Sequence, residues 1–139
     1  MGSKVTILGH HYQREDVIEF SDLQGDSFLL SKLAAEKNDS EIIIFCGVHF
    51  MAETVKIINP EKKILLPDLK AGCSLADSCP PNLFESFITK YPEAVVVSYI
   101  NCSAEIKAMS DIICTSSNAK AVIDCIPEIN HLIFAPVKN

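Results

Sequence analysis

The fold is decided by the stretch Val5-Thr6-Ile7-Leu8-Gly9-His10-His11-Tyr12-Gln13. Its first half is apolar, as in a buried strand of a parallel sheet, and its second half is polar. If the chain stays extended past the strand, His10 and Tyr12 point to the same side, because side chains alternate along a strand. The stretch therefore predicts a strand over residues 4–9 that leads into a wall of two polar aromatic rings.

A helix start is predicted a short distance downstream. The segment Gly25-Asp26-Ser27 is followed by apolar residues at helical spacing, namely Phe28, Leu29, Leu30, Leu33 and Ala34. The start of a helix offers unpaired backbone N–H groups and a partial positive charge, which suit phosphate or carboxylate. Ser27 is therefore a candidate anion-binding residue.

Strands and helices alternate along the rest of the chain. The predicted strands cover residues 41–46, 63–66, 94–98, 112–115 and 131–135, and the predicted helices cover 26–37, 49–58, 82–90, a short segment from Ser103, and 117–125. Strands that are apolar throughout, such as Ile42-Ile43-Ile44-Phe45, indicate a parallel sheet covered on both faces. The pattern predicts a doubly wound α/β protein with a three-layer αβα arrangement. In such proteins ligands bind beyond the carboxyl ends of the strands.

The two halves of the chain are related by an internal repeat. A shift of 89 positions superposes similar residues at both polar and apolar positions. The matched pairs are His10 with Tyr99, Tyr12 with Asn101, Asp22 with Asp111, Ser27 with Ser116, Ile44 with Ile133 and Phe45 with Phe134. We therefore predict a tandem repeat of Rossmann-like domains: a first repeat over residues 1–91, which carries Cys73, and an incomplete second repeat over residues 92–139.

The repeat also predicts a shared pocket. If the two copies pack around a pseudo-symmetry axis, their polar residues meet, and these are His10, Tyr12, Ser27, Tyr99, Asn101 and Ser116. Hydroxyl, amide and imidazole groups beside two helix starts favour a small acid or a phosphate ester as the ligand. Taken singly, the two serines are better explained as ordinary helix caps, and only their joint recurrence favours a binding role. His11 and His49 are interpreted as structural.

Composition excludes several classes of partner. The 139 residues are 48% hydrophobic and 22% charged, with a net charge of -6 and no block of Lys or Arg, which argues against nucleic acid or an anionic membrane as a partner. No apolar run approaches the roughly 20 residues that cross a bilayer, and no signal-peptide pattern is present. We expect a cytoplasmic protein.

The six cysteines do not form a pattern typical of disulfides or zinc. A cytoplasmic location disfavours disulfides, and no Cys-x-x-Cys pair occurs. Apolar surroundings predict that Cys46, Cys114 and Cys125 are small core residues. Cys73 differs, because it lies in a polar loop after a strand.

A serine esterase is an alternative interpretation of Gly25-Asp26-Ser27-Phe28-Leu29, which is similar to the Gly-Asp-Ser-Leu block of that family. That family places the block directly after its first strand and adds an Asp-x-x-His pair, whereas the nearest pair here is Glu128 with His131. A nucleophilic serine also needs a base within hydrogen-bond reach. This interpretation is therefore the weaker one.

Several longer motifs together resemble the quinolinate synthase family over nearly the whole chain. They are His10-His11-Tyr12-Gln13, Gly25-Asp26-Ser27, Gly47-Val48-His49-Phe50-Met51-Ala52-Glu53, Ala71-Gly72-Cys73-Ser74-Leu75, Tyr99-Ile100-Asn101 and Thr115-Ser116-Ser117-Asn118-Ala119. The resemblance implies three similar αβα domains around a pseudo-threefold axis. It also implies a four-iron four-sulfur (4Fe-4S) cluster held by one cysteine from each domain.

The resemblance further implies a reaction and residue roles. Iminoaspartate and dihydroxyacetone phosphate are condensed to quinolinate, the precursor of the nicotinamide ring of NAD. Cys73 would be the cluster ligand, and His10 and Tyr12 would be candidates for proton transfer. The residues expected to bind the substrate carboxylates and phosphate are His10, Tyr12, Ser27, Tyr99, Asn101 and Ser116.

The chain also departs from the family pattern. It accounts for the first domain and part of the second, and it offers one of the three cluster cysteines. Cys79 is interpreted as a loop thiol, with a reversible disulfide to Cys73 as an untested alternative. As a lone chain it is expected to show no turnover and to self-associate through exposed apolar surface. The alternative function is a non-catalytic α/β module that binds small anions or a partner.

Overall fold

Parallel strands alternate with helices throughout the computed structural model, which describes residues 4–36, 39–126 and 131–135. In these residues the elements, in chain order, are β1 (Val5–His10), α1 (Glu15–Ile18), β2 (Leu23–Gly25), α2 (Ser27–Glu36), β3 (Ile42–Cys46), α3 (His49–Ile58), β4 (Lys63–Leu65), α4 (Ser74–Asp77), α5 (Pro81–Ile88), β5 (Val95–Tyr99), α6 (Ala104–Ala108), β6 (Ile112–Cys114), α7 (Ala119–Asp124) and β7 (Leu132–Ala135). The predicted α/β class, with parallel sheets flanked by helices, is confirmed.

The chain forms two compact units, residues Met1–Gly72 and Cys73–Asn139. Cys73 thus begins the second unit, although the repeat analysis assigns it to the first repeat. The predicted repeat boundary between residues 91 and 92 comes from correspondence of sequence, and it stays a prediction.

The first unit is built on a four-stranded parallel sheet in the order β2-β1-β3-β4. Alternate residues of β3 face the core, and Ile43 and Phe45 are fully buried there. Helix α3 buries Phe50, Met51, Ala52, Thr54 and Val55 on one face. The carboxyl end of β1, which carries the polar aromatic residues, lies between β2 and β3, because His10 pairs with Gly25 and Gly9 pairs with Cys46.

The second unit contains a three-stranded parallel sheet in the order β6-β5-β7. Its core is a cluster of Phe84, Val96, Cys102 and Ile106. Helix α5 begins with Pro81, which suits the first turn of a helix because a backbone N–H is not needed there. Ser103 caps α6 by accepting a hydrogen bond from the backbone N–H of Ile106.

The local structure of the two units follows the predicted repeat. Leu8 pairs with Leu23 in the first sheet, and their counterparts at a shift of 89, Val97 and Ile112, pair in the second. The pairing of Thr6 with Ile43 recurs in the same way as Val95 with Leu132. The registers of both sheets therefore support a duplicated βαβ architecture.

Three local expectations are corrected by the structure. The segment predicted as one loop between β1 and α2 contains α1 and β2, which are too short for a periodic pattern to reveal. Helix α7 begins at Ala119, after a turn over residues 116–118, rather than near residue 117. Among the cysteines predicted in the core, Cys114 is buried, whereas Cys46 is half-buried and Cys125 is exposed.

Candidate functional site

Three polar aromatic rings cluster at the carboxyl end of β1. The chain turns directly after His10, where the N–H of Gln13 donates to the His10 carbonyl at 2.8 Å. The expectation of an extended chain through Tyr12 is therefore wrong, but the turn brings the rings together. The ring centroids of His10 and Tyr12 lie 4.9 Å apart, those of His10 and His11 4.5 Å, and those of His11 and Tyr12 4.2 Å.

The cluster joins a buried ring to an exposed one. His10 is 3% exposed, whereas Tyr12 is 82% exposed. The exposed Tyr12 ring lies beside the buried His10 ring at the carboxyl end of β1, the edge at which ligands of parallel sheets bind. That the two rings form the wall of a binding pocket stays a prediction.

Hydrogen bonding fixes the tautomer of His10. The backbone N–H of Tyr12 donates to His10 Nδ1 at 3.3 Å, so we assign the proton of the neutral ring to Nε2. Burial lowers the pKa of His10, the nearby charge of His11 lowers it further, and the charge of Asp26 acts in the opposite direction. Near neutral pH the His10 ring is therefore uncharged and can donate a hydrogen bond from Nε2.

His11 was interpreted as a structural residue outside the site, but its ring lies in the cluster. Its backbone N–H donates to the Gly25 carbonyl at 3.1 Å, and its Nδ1 contacts the same oxygen at 3.1 Å. A carbonyl oxygen only accepts, so Nδ1 carries the proton. The contact depends on β2, which brings Gly25 opposite His10, and no sequence pattern revealed that strand.

Asp26, rather than Ser27, caps α2. One oxygen of the Asp26 carboxylate accepts the N–H groups of Phe28 and Leu29, at 3.0 and 2.9 Å. Ser27 is the first helical residue. The expectation that this helix start presents unpaired N–H groups is therefore corrected, because a carboxylate already satisfies two of them.

The predicted site residues of the second unit lie at the carboxyl ends of its strands. Tyr99 is the last residue of β5 and is half-buried, as is Asn101 two positions later. Ser116 is exposed in the turn that follows β6 and lies three residues before α7, so it is not a helix-start residue. The pocket that these residues would share with His10, Tyr12 and Ser27 stays a prediction.

Cys73 lies directly before a short helix. It is half-buried and in extended conformation, and its carbonyl accepts the N–H of Asp77 at 2.9 Å at the start of α4. Cys79, in contrast, packs against the apolar cluster of the second unit, and burial raises the pKa of its thiol. Burial thus disfavours the thiolate of Cys79, which is the form that binds a metal.

A metal site is not complete in the described ranges 4–36, 39–126 and 131–135. No three His, Cys, Asp or Glu side chains come close enough there to hold a metal ion. Cys73 can therefore supply one ligand only. Glu128, which the esterase interpretation needs, lies outside the described residues.

The second unit also has an open apolar pocket of about 270 Å³. It is lined by Ser78, Cys79, Pro80, Leu83, Phe84, Phe87, Ile133, Phe134 and Ala135. Its lining has no Lys, Arg or His, so a phosphate or carboxylate has no cationic partner there. The pocket is therefore not a candidate for the anion site.

Comparisons with known proteins give a consistent result over almost the whole chain. The family model described as quinolinate synthetase A protein matches residues 2–139. The chain is 61% identical over 133 residues to a quinolinate synthase of Chloroherpeton thalassium, 62% to one of Gloeothece citriformis and 59% to one of Nostoc punctiforme. In each case the match covers 96% of this chain and 41% of the relative.

Proposed function

Because the chain belongs to the quinolinate synthetase A protein family, we propose that it is part of a quinolinate synthase. The reaction implied by the family condenses iminoaspartate with dihydroxyacetone phosphate to quinolinate, in NAD biosynthesis. The chain spans about 41% of the length of the curated relatives it matches, so we assign the activity to the longer polypeptide. The observation that carries the proposal is the identity of about 60% over 133 residues, which is 96% of this chain.

The ring cluster suits the binding of an anionic substrate. We propose that neutral His10 donates from Nε2 to a carboxylate or carbonyl oxygen, since its Nδ1 already accepts the Tyr12 N–H. Exposed Tyr12 offers a phenol that can donate to the same substrate and exchange a proton with it. The lowered pKa of His10 keeps the ring neutral at neutral pH, so Nδ1 accepts the Tyr12 N–H while Nε2 donates.

We assign the remaining substrate contacts to Ser27, Tyr99, Asn101 and Ser116, as the resemblance to the family implies. Tyr99, Asn101 and Ser116 follow strands of the second sheet at the edge where ligands of parallel sheets bind. Asp26 makes the backbone N–H groups at the start of α2 a poor site for an anionic ligand. Its carboxylate already binds two of these groups and repels a second anion. We therefore assign the contact at this helix start to the neutral hydroxyl of Ser27 rather than to the backbone N–H groups that Asp26 already binds.

The iron–sulfur cluster implied by the family fits Cys73 as one ligand. Cys73 is half-buried and lies directly before α4, and cysteine thiolates are the usual ligands of iron–sulfur clusters. The described residues offer no complete set of ligands, so the other two cysteines would come from other parts of a longer polypeptide. When bound, such a cluster would supply an open iron that acts as a Lewis acid.

The proposed partners are the two small substrates, and the proposed location is the cytoplasm. None of the helices in the described residues is long and apolar enough to cross a membrane. We also propose self-association of the isolated chain, because large apolar side chains such as Leu69 and Leu83 are exposed.

A second candidate function is favoured by the incomplete ligand set. With a single suitable cysteine, the chain alone would be a non-catalytic module that binds small anions through its ring cluster. The two candidate functions share the anion site, but only quinolinate synthase requires an iron–sulfur cluster. They are therefore separated by measuring cluster content and turnover together.

The test is anaerobic reconstitution with iron and sulfide of the 139-residue chain and of a longer polypeptide that contains it. We expect bound iron and sulfide, with quinolinate formation, in the longer polypeptide and neither in the short chain. Cys73→Ser should abolish both properties in the longer polypeptide, and Cys79→Ser is the matched control that should retain them. A longer polypeptide that binds a cluster but forms no quinolinate would refute the proposed reaction.

A further inference from the structure

His11 makes a contact that the second repeat lacks. The counterpart of His11 is Ile100, whose backbone N–H donates to Cys114 just as that of His11 donates to Gly25, at 2.9 and 3.1 Å. Only His11 adds a second bond, from Nδ1 to the same carbonyl. Isoleucine thus supports the same backbone connection in the second unit, so the fold at this position does not require an imidazole.

The two stacked imidazoles have opposite tautomers. His10 accepts at Nδ1 from the Tyr12 N–H, and His11 donates from Nδ1 to the Gly25 carbonyl. Their rings are 4.5 Å apart and inclined by 26°. In their neutral forms the pair therefore offers one donor, His10 Nε2–H, and one acceptor, His11 Nε2.

We propose that His11 is a positioning residue of the substrate site, which ties the His10–Tyr12 turn to Gly25 and holds the His10 ring by stacking. Gly25 directly precedes Asp26 and Ser27, so the same bond links the ring cluster to the start of α2. The inference rests on the proposed function, because it concerns the same anion site.

The pKa of His10 is sensitive to the charged groups around it, which include His11. Burial and the charge of His11 lower the pKa of His10, while Asp26 raises it. Tyr12 contacts the ring, and Cys46, opposite Gly9 on β3, stays a neutral thiol because burial raises its pKa. Removal of the His11 charge should therefore raise the pKa of His10, so the titration of His10 reports the close contact of the two rings.

The first experiment uses the 139-residue chain and does not depend on enzymatic activity. Imidazole NMR titrations would compare the wild type with His11→Gln, which keeps a donor for Gly25, and His11→Ile, which copies the second repeat. We expect the pKa of His10 to be higher in His11→Gln than in the wild type. The downfield chemical shift of the Gly25 carbonyl carbon should be lost in His11→Ile only. The exposed His131→Gln variant is the control and should change neither. Unchanged His10 titration together with an unchanged Gly25 carbonyl would overturn the proposal.

The second experiment measures kinetics in a longer polypeptide that contains this chain. His11→Ile should lower kcat/KM by about threefold to tenfold, the effect of one hydrogen bond, mainly through KM. His11→Gln should recover most of the loss but shift the pH profile. Wild-type kcat/KM and pH profile in His11→Ile would overturn the positioning role. A wild-type polypeptide without quinolinate synthase activity would instead refute the proposed function and leave the NMR result standing.

Discussion

Gly9 and Ser98 occupy the same position in the two repeats, but only Ser98 has a side chain that reaches its neighbour. Ser98 Oγ lies 2.7 Å from Ser110 Oγ in the second unit. In the first unit Ser21 fills that space, and a Cβ atom on Gly9 would clash with Ser21 Oγ. Ser21 Oγ is buried without a hydrogen-bond partner in the described part of the chain. Gly9 is therefore required by close approach of a neighbouring side chain.

We expect Gly9→Ala to lower the free energy of unfolding by about 1 to 3 kcal/mol, the usual cost of overpacking. The new methyl would also lie 2.9 Å from Ile18 Cδ1, so relief requires several atoms to move. Gly25→Ala is the matched control, because its nearest neighbour is the flexible end of Leu29 at 3.1 Å. Urea unfolding measures the free energy of unfolding of both variants. Equal losses of stability in Gly9→Ala and Gly25→Ala would contradict the steric explanation.

The stability of the first unit should depend on the protonation of His10. Its pKa is lower in the folded chain than the value of about 6.5 in an unfolded one, so the unfolded state binds more protons between these pKa values. Stability is therefore fully present above about pH 6.5 and declines as the pH falls toward the folded pKa.

His10→Gln should reduce this loss, because glutamine keeps an acceptor for the Tyr12 N–H but does not titrate. The measurement is the urea midpoint at pH 7.5 and pH 5.5 for the wild type and the variant. His131→Gln, at an exposed position in the other unit, should keep the wild-type dependence. If His10→Gln lost as much stability on acidification as the wild type, the buried-histidine explanation would be wrong.

At the scale of elements, the sequence predicted helices and strands best where a regular pattern of apolar residues continued over many positions. Helix α3 was predicted over residues 49–58 and is found at His49–Ile58, because five residues of one face are buried. The strands β1 and β3 were placed to within one residue for the same reason. The short strands β4, β6 and β7 were also predicted, whereas α1, β2 and α4 were missed. The position of β2 is set by tertiary pairing with β1.

Site residues could be predicted from the sequence where they lie at the end of a strand that is recognisable as an apolar run. His10 and Tyr12 were identified because they follow an apolar run. The place of His11 in the ring cluster was not predicted, because its contact with Gly25 depends on β2. Ser27 was considered as the cap of α2, although Asp26 provides the side-chain bonds. Asp and Ser are both common caps, so the sequence alone could not decide between neighbouring residues.

Asp26→Ala should therefore destabilise α2 and change the charge near His10 at the same time. Loss of the bonds to Phe28 and Leu29 should cost about 1 kcal/mol. Because Asp26 raises the pKa of His10, its removal should lower that pKa further. Unfolding and imidazole NMR titrations measure the two effects.

Asp16→Ala is a suitable control for this prediction, because Asp16 pairs with exposed Arg14 on the surface. That variant should leave the His10 pKa unchanged and alter stability by a few tenths of a kcal/mol at most. The capping assignment would be refuted if Asp26→Ala and Asp16→Ala had the same effect on stability.

At the scale of the whole molecule, the clearest sign of duplication is one polar contact made twice. Asp22 accepts the backbone N–H of Ile7 through its side chain at 2.8 Å, and Asp111 accepts that of Val96 at 2.8 Å. Each aspartate also donates its own N–H to the carbonyl of the same strand residue, at 2.9 Å in both units. Both connections that lead from a short helix back into the sheet are therefore held in the same way.

The repeat predicts equal effects of the same substitution in the two units. Asp22→Ala and Asp111→Ala should each cost about 1 to 2 kcal/mol locally, because a strand N–H loses a charged acceptor. Amide hydrogen exchange is the appropriate measurement, since two compact units need not unfold in one transition. Exchange should accelerate at Ile7 in the first variant and at Val96 in the second. An effect confined to one of the two variants would show that the matching contacts are not equivalent, and Asp16→Ala should affect neither amide.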